Sequence, residues 1–308
     1  MVHAARRYLI QMGMAMAEKK QYARNELLVE PEWVEEHLND SDVRLIDCRP
    51  EEAYRQGHIP QAVRLPVPPE PTGVPPLWLK DPVDPKHVMD ASHFADLMSR
   101  AGVSNDSTVV CYSDKIMYAT RLWWALTYFG HEKAKVLNGG WERWRAEGRT
   151  VSTDEEKPEP SRFNPAVQPK RIILLEELKA RFAEPHVKLL NLLPHGYWSG
   201  AENPVGNRHP GHIPGAANID SDHFLDEDGN FKSATELEAM LSDAGISSTD
   251  EVVAHCQAGV RTTVGFFVLS LLGSDSVRAY DGSMAEWGNL DDVPVETGVQ
   301  TRKAKRPD

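Results

Sequence analysis

The chain has 308 residues, 41% of them hydrophobic and 26% charged, which is room for two ordinary globular domains. A formal net charge of −12 argues against a nucleic-acid backbone or an anionic membrane surface as partner, while a local cradle of N–H groups still admits a small anion. The three cysteines, Cys48, Cys111 and Cys256, form no C-x-x-C pair; they fit a reducing, cytoplasmic setting and give no support for a disulfide framework or a zinc site.

Residues 1–25 read as a flexible leader. Arg6 and Arg7 ahead of an apolar stretch and Ala15-Met-Ala17 faintly imitate a signal peptide, but Gln11 and Gly13 interrupt it, and a start placed upstream of Met14 or Met16 explains it as well. No apolar run approaches the roughly 18 residues that span a bilayer. Residues 30–38, with Pro31 and the spacing of Trp33, Val34 and Leu38, predict a first helix. Residues 43–47 predict a buried strand, and Gly57-His-Ile-Pro60 follows a short polar stretch. Eight prolines between 66 and 85 exclude helix and central strand, so that segment is expected to be an extended excursion. A helix is then predicted over 93–101, a strand over 108–112, a helix over 119–129 ending at Gly130, and a strand over 135–137. Asn138-Gly-Gly140 is a turn before a short helix carrying Trp141 and Trp144. This alternation implies an α/β fold, a parallel sheet with helices on both faces.

Residues 151–168 are polar, acidic and proline-rich, and read as a linker between domains at 26–150 and 169–300. After it the order repeats. A strand at 188–191 answers the one at 44–47, Gly211-His-Ile-Pro214 answers Gly57-His-Ile-Pro60, and Asp281-Gly-Ser283 answers Asn138-Gly-Gly140. Cys256 stands 143 positions after Ser113, Gly273 143 after Gly130, and Asp281 143 after Asn138. A constant offset of that extent is an internal duplication, with about ten extra residues in the second half between Asn191 and Gly211.

The stretch 251–263 is the chemical centre. Its apolar run, Val252 to Ala254, predicts a buried strand, and 262–272 predicts a helix stopped by Gly273. A strand-loop-helix turn aims several N–H groups and the positive helix end at one point, so Cys256 there favours its thiolate. The alternative is an inert buried cysteine. Ser113, Ile116 and Tyr118 stand in the first half where Cys256, Gly259 and Arg261 stand in the second. A serine without an adjacent base is a poor nucleophile, so the first half is expected to be chemically silent and to wall the cleft.

Cysteine phosphatases place five residues between the loop cysteine and arginine, making a seven-residue cradle; here four, Gln257, Ala258, Gly259 and Val260, separate Cys256 from Arg261. With this shorter loop, the two Gly-His-Ile-Pro segments, Leu45-Ile-Asp-Cys-Arg49, Arg121-Leu-Trp-Trp124 and Val136-Leu-Asn-Gly-Gly140, the chain resembles the tandem-domain rhodanese family, the thiosulfate and 3-mercaptopyruvate sulfurtransferases. The resemblance covers about residues 26–290. It implies two rhodanese-like domains and a Cys256 nucleophile that takes a sulfane sulfur as a persulfide and hands it to a thiophilic acceptor. It also implies that the N–H groups of Gln257, Ala258, Gly259, Val260, Arg261 and Thr262 hold the outer sulfur.

Arg261 is expected either to contact an anionic donor or to pin the loop through Asp281 or Glu286. His255 is expected to pack rather than move protons, and His58 and His212 to make structural hydrogen bonds. Ala258 and neutral Gln257 match neither the Cys-Gly-Ser-Gly-Val-Thr loop of mercaptopyruvate enzymes nor the Cys-Arg-Lys-Gly-Val-Thr loop of vertebrate-type thiosulfate enzymes. Asn191, Leu193 and Tyr197 also replace Asp and Arg residues usual in the family, with Arg208 as a candidate anion contact. The expected activity is therefore sulfur transfer from a small anionic donor, thiosulfate favoured, to cyanide or a thiol. Transfer from 3-mercaptopyruvate, a persulfide-relay or binding module, and a rhodanese-related phosphatase or arsenate reductase are the alternatives. No cofactor or metal motif is visible.

Overall fold

A computed structural model of the chain describes residues 21–67 and 79–298. The expected leader lies outside the described residues up to position 20, and so does most of the proline-rich excursion, 68–78. Ordered contacts begin before position 25: the Tyr22 hydroxyl donates to the Lys232 carbonyl at 2.6 Å, and the Arg24 amide donates to the Leu271 carbonyl at 3.0 Å.

The first half contains β1 (Leu28–Val29), α1 (Pro31–Glu36), β2 (Val43–Asp47), α2 (Glu51–Gln56), β3 (Val63–Arg64), α3 (Ala91–Arg100), β4 (Thr108–Tyr112), α4 (Ile116–Tyr128), β5 (Ala134–Leu137) and α5 (Gly140–Ala146). The second contains α6 (Leu175–Arg181), β6 (Val187–Asn191), α7 (His195–Trp198), β7 (Ala217–Asn218), α8 (Ala234–Asp243), β8 (Glu251–His255), α9 (Thr262–Leu271), β9 (Val277–Ala279) and α10 (Ser283–Trp287). Every strand pairing within the two sheets is parallel, in the order β1-β5-β4-β2-β3 and β7-β6-β8-β9. The second sheet lacks a full counterpart of β1; a single parallel bridge from Ile172 to Ala279 stands in its place. Helix α2 was not expected. With one buried residue, Tyr54, in six, it is too short to show a period, and Pro50 with Glu51 and Glu52 starts it.

The central strands β4 and β8 are buried over nearly their whole length, which is why Val109, Val110, Val252 and Val253 read as continuous apolar runs. The Gly-His-Ile-Pro segments lie in matched places. His58 forms an antiparallel bridge with Ser152 and stacks on Tyr54, while His212 bridges to Glu296 and stacks on Trp198. Each imidazole Nδ1 is bonded to the carbonyl of the ring residue it stacks on, at 2.9 Å for Tyr54 and 2.7 Å for Trp198.

The halves meet along α4 and α9. Thr120 Oγ1 lies 3.0 Å from Thr263 Oγ1, 143 positions away, and Trp123 packs edge-on against Phe266, its own equivalent. Equivalent residues touch each other only at a two-fold axis, so the duplicated units pack as a pseudo-symmetric pair, as in an isologous dimer. That axis presses the N-terminal end of α9, and the loop before it, against the first half.

Phe267, fully buried, meets Trp123 at 4.7 Å and Phe231 at 5.1 Å between ring centroids. Phe267→Ala is expected to cost about 3–5 kcal/mol, read from the urea midpoint of the full chain.

Candidate active site

Cys256 follows the last residue of β8, and α9 opens six positions later. The backbone of the loop is clamped at its start. The Cys256 amide donates to Ser283 Oγ at 3.1 Å, and the Cys256 carbonyl accepts from the Met284 amide at 3.1 Å. The next carbonyl, of Gln257, accepts from the Ala285 amide at 2.7 Å. Ser283 takes φ 51°, unfavourable for a residue with a Cβ, and is held there by the bond its hydroxyl donates to the Tyr280 carbonyl at 2.8 Å.

Past the clamp the donors are left open. Among the described residues, the amides of Gln257, Ala258, Gly259, Val260, Arg261 and Thr262 donate to no protein acceptor. Open N–H donors at a helix N-terminus can hold an anion. Cys256 itself is 2% exposed.

Gly259 makes this shape possible. It takes φ +80°, and a Cβ there would come within 2.1 Å of Asp281 Oδ1. Asp281 is a buried carboxylate shared by two cations of the first half: Arg121 at 2.7 Å and Lys80 at 2.8 Å. Burial alone would raise its carboxyl; Arg121 and Lys80 outweigh that and hold it below the usual range. Arg121 also lies 3.4 Å from the Gly259 carbonyl and covers the Trp124 ring.

Two expected contacts fall elsewhere. Arg261 pairs with neither Asp281 nor Glu286, because Asp281 is engaged from the first half and Glu286 accepts from the Tyr280 hydroxyl at 2.9 Å. It reaches Ser221 Oγ at 2.7 Å, Asp222 at 3.0 Å and Asp220 at 3.3 Å. Arg208 is an exposed side chain paired with Asp291, although its neighbour Asn207 does meet the loop. Asn207 and Gln257 exchange a reciprocal amide pair at 2.9 and 3.0 Å. The extra segment of the second half thus lies over the loop, with Tyr197 and Leu193 lining the same small recess.

His255 is wholly buried, and burial, with His212 adding to it, lowers its pKa to about 3. It is a neutral packing group next to Asn191, whose Nδ2 lies 3.5 Å from its Nδ1. The equivalent cluster in the first half is charged: Asp47 bonds Arg49 at 2.6 Å and accepts from the Tyr112 hydroxyl at 2.8 Å. Asn191, Leu193 and His255 are therefore a matched neutral replacement of Asp47, Arg49 and Tyr112, since a buried carboxylate without Arg49 would be uncompensated. Cys48 and Cys111 are fully buried, and burial pushes both thiols up, whereas Cys256 stands at the loop before α9.

Sequence reasoning missed Ser283 as a clamp, Asn207 as a loop contact, and Lys80 and Arg121 as partners of Asp281. Only the duplicated turn at 281–283 and the Arg121-Leu-Trp-Trp124 motif marked any of them beforehand.

Two duplicated α/β units, one with a cysteine in the loop between its central parallel strand and the following helix, define the class of protein to which this chain belongs. The chain belongs to the rhodanese family of sulfurtransferases: the rhodanese-like domain matches it twice, over residues 30–147 and 174–290. It is 34% identical to the thiosulfate sulfurtransferase of Corynebacterium glutamicum over 299 residues, covering 92% of this chain and 94% of that one. It is also 34% identical to the sulfur carrier protein TtuD of Thermus thermophilus over 295 residues, covering 91% of this chain and 99% of that one. Among solved structures, the anaerobic ergothioneine biosynthesis enzyme from Chlorobium limicola shares the fold, with a TM-score of 0.79 at 24% identity over 91% of this chain and 72% of that one. No helix among the described residues is long and apolar enough to cross a membrane.

Gly259→Ala is expected to displace the loop from Asp281, costing about 1–3 kcal/mol of stability and at least about tenfold in sulfur transfer. Denaturant midpoints and steady-state rates read the two effects. Below pH about 6.5 the unfolded chain takes up a proton that folded His255 refuses until about pH 3. Stability is thus expected to fall with acid through that window, by up to about 1.4 kcal/mol per unit from this residue. His131 and His212, also lowered by burial, add to it. Urea titrations at several pH values check the slope, which His255→Gln should flatten.

Proposed function

We propose that this sulfurtransferase works through a persulfide on Cys256, with thiosulfate as the favoured donor and cyanide or a thiol as acceptor. The observation that carries the reading is the run of open amides from Gln257 to Thr262. The Cys256 thiolate attacks the sulfane sulfur of thiosulfate, the sulfur–sulfur bond of the donor breaks, and sulfite leaves with the electron pair. The outer sulfur of the persulfide then carries the negative charge. Fixed N–H donors stabilise it without reorganising as charge moves from thiolate to persulfide. The acceptor attacks that outer sulfur, and the thiolate is regenerated.

Donor choice follows from what the loop offers. Ala258 supplies no hydroxyl for proton transfer, and Arg261 is already engaged by Asp220 and Asp222, so recognition rests on amide donors and the helix end. That suits a compact dianion that needs no proton, as thiosulfate does, over 3-mercaptopyruvate. The first domain would be chemically silent, with Ser113 at the nucleophile's place, and the segment 151–168 would join the two.

Incubation with thiosulfate is expected to add one sulfur mass to the protein, removable by cyanide and absent in Cys256→Ser; an unmodified wild-type mass would sink the reading. Turnover with thiosulfate is expected to exceed that with 3-mercaptopyruvate in parallel assays.

A second reading, a sulfur carrier serving a partner protein, is supported by Asn191, Leu193 and Tyr197 standing where the family usually has Asp and Arg, and by the likeness to the Thermus carrier. It expects loading from a persulfide-bearing protein with turnover of small donors and acceptors remaining slow.

A further inference from the structure

Lys80 enters from the end of the proline-rich excursion of the first half and is 4% exposed, an unusual place for a lysine. All three of its donors have acceptors: Asp281 Oδ1 at 2.8 Å, the Asp281 carbonyl at 3.0 Å and the Lys86 carbonyl at 2.9 Å. This holds its ammonium one carboxylate away from Gly259, in the loop of Cys256. The charged groups it faces are Asp281 from the turn before α10, Arg121 from α4, and Cys256, whose thiolate favours the protonated amine. Lys86, on its own segment, turns instead toward Glu286 of α10 at 3.4 Å.

A purely structural ion pair does not account for this arrangement. Arg121 already binds Asp281 through both terminal nitrogens, at 2.7 and 3.4 Å. A second buried cation on the same acid adds desolvation cost, which a neutral side chain would avoid. Its charge is offset when an anion stands at Cys256. We propose that Lys80 is a positioning residue, lent by the first half, that keeps the Cys256 sulfur anionic throughout the transfer cycle. The proposal rests on the persulfide reading. In that cycle, thiolate plus thiosulfate becomes persulfide plus sulfite, so the sulfur at the loop carries one negative charge before and after each step. A fixed cation nearby then suits both forms, and in a dry site its pull extends over several ångströms.

Burial draws the Lys80 ammonium down to about 8 against the opposing effect of Asp281, and Arg121 adds to the fall. The cation is therefore present below that pH and lost above it.

The test uses the full chain and three forms: wild type, Lys80→Met and Lys80→Arg. The rate at which iodoacetamide alkylates Cys256, read by peptide mass against pH, reports the thiolate without depending on sulfur transfer. Lys80→Met is expected to move the midpoint of that profile upward by about one pH unit or more. Lys80→Arg is expected to keep the wild-type midpoint and to lose a second inflection near pH 8. A folded Lys80→Met with an unmoved midpoint overturns the proposal. If that variant does not fold, the Arg variant decides: an inflection near pH 8 that persists in it overturns the proposal equally. Thiosulfate loading of Cys256→Ser, measured separately, tests the persulfide reading on its own.

Discussion

A buried carboxylate pressed against a glycine governs the geometry of this molecule. Asp281 occupies the volume that a side chain at position 259 would need, so the loop takes a left-handed turn there that glycine alone adopts without strain. The acid is tolerable inside the protein because Arg121 and Lys80 neutralise it, and both belong to the other half of the chain. Loop shape in the second unit is thereby tied to docking of the first. Removing Arg121, which also reaches the Gly259 carbonyl, would disturb the loop and the domain interface together.

The duplication gave two copies of one scaffold, and small differences separate their chemistry. The Trp141 amide bonds the Ser113 carbonyl just as the Met284 amide bonds the Cys256 carbonyl, one repeat apart. At the preceding position the copies diverge. Gly140 lies so close to the Ser113 carbonyl that a Cβ would be 2.2 Å from it, whereas Ser283 keeps its side chain and uses it to fix the Cys256 amide. Helix α4 also begins three residues earlier than the equivalent point in α9, absorbing Ile116 to Tyr118 where the second half keeps an open loop. There the Tyr118 amide donates to the Lys115 carbonyl at 3.0 Å, whereas the amide of its equivalent, Arg261, has no protein acceptor among the described residues.

Much of this was legible in the linear chain. The strands 43–47 and 108–112 appear at the residues their apolar runs indicate, because central strands of parallel sheets are buried on both faces and cannot alternate. The two-residue strands β1, β3 and β7 and the single turn and a half of α2 left no such trace, being shorter than any hydrophobic period. Arg261 shows the limit on the site side. Its place in the loop was plain, but its partners Asp220 and Asp222 lie about forty positions upstream, in a segment without a recognisable pattern. Asn207 and Lys80 were hidden likewise, one in an insertion and one in a proline-rich loop.

The sequence by itself determined the α/β class, the duplication, the family and the loop that carries Cys256, because each is written in local spacing: apolar runs, a constant offset, and the count of residues between Cys256 and Arg261. Tertiary structure alone decided which charges meet. Lys80, Arg121 and Asp281 are separated by up to 201 positions, and only packing of α4 against α9 about the pseudo-two-fold axis brings them together behind Gly259. Coulombic pairing acts through space and leaves no period along the chain, so the environment of the sulfur becomes readable only once the halves are docked.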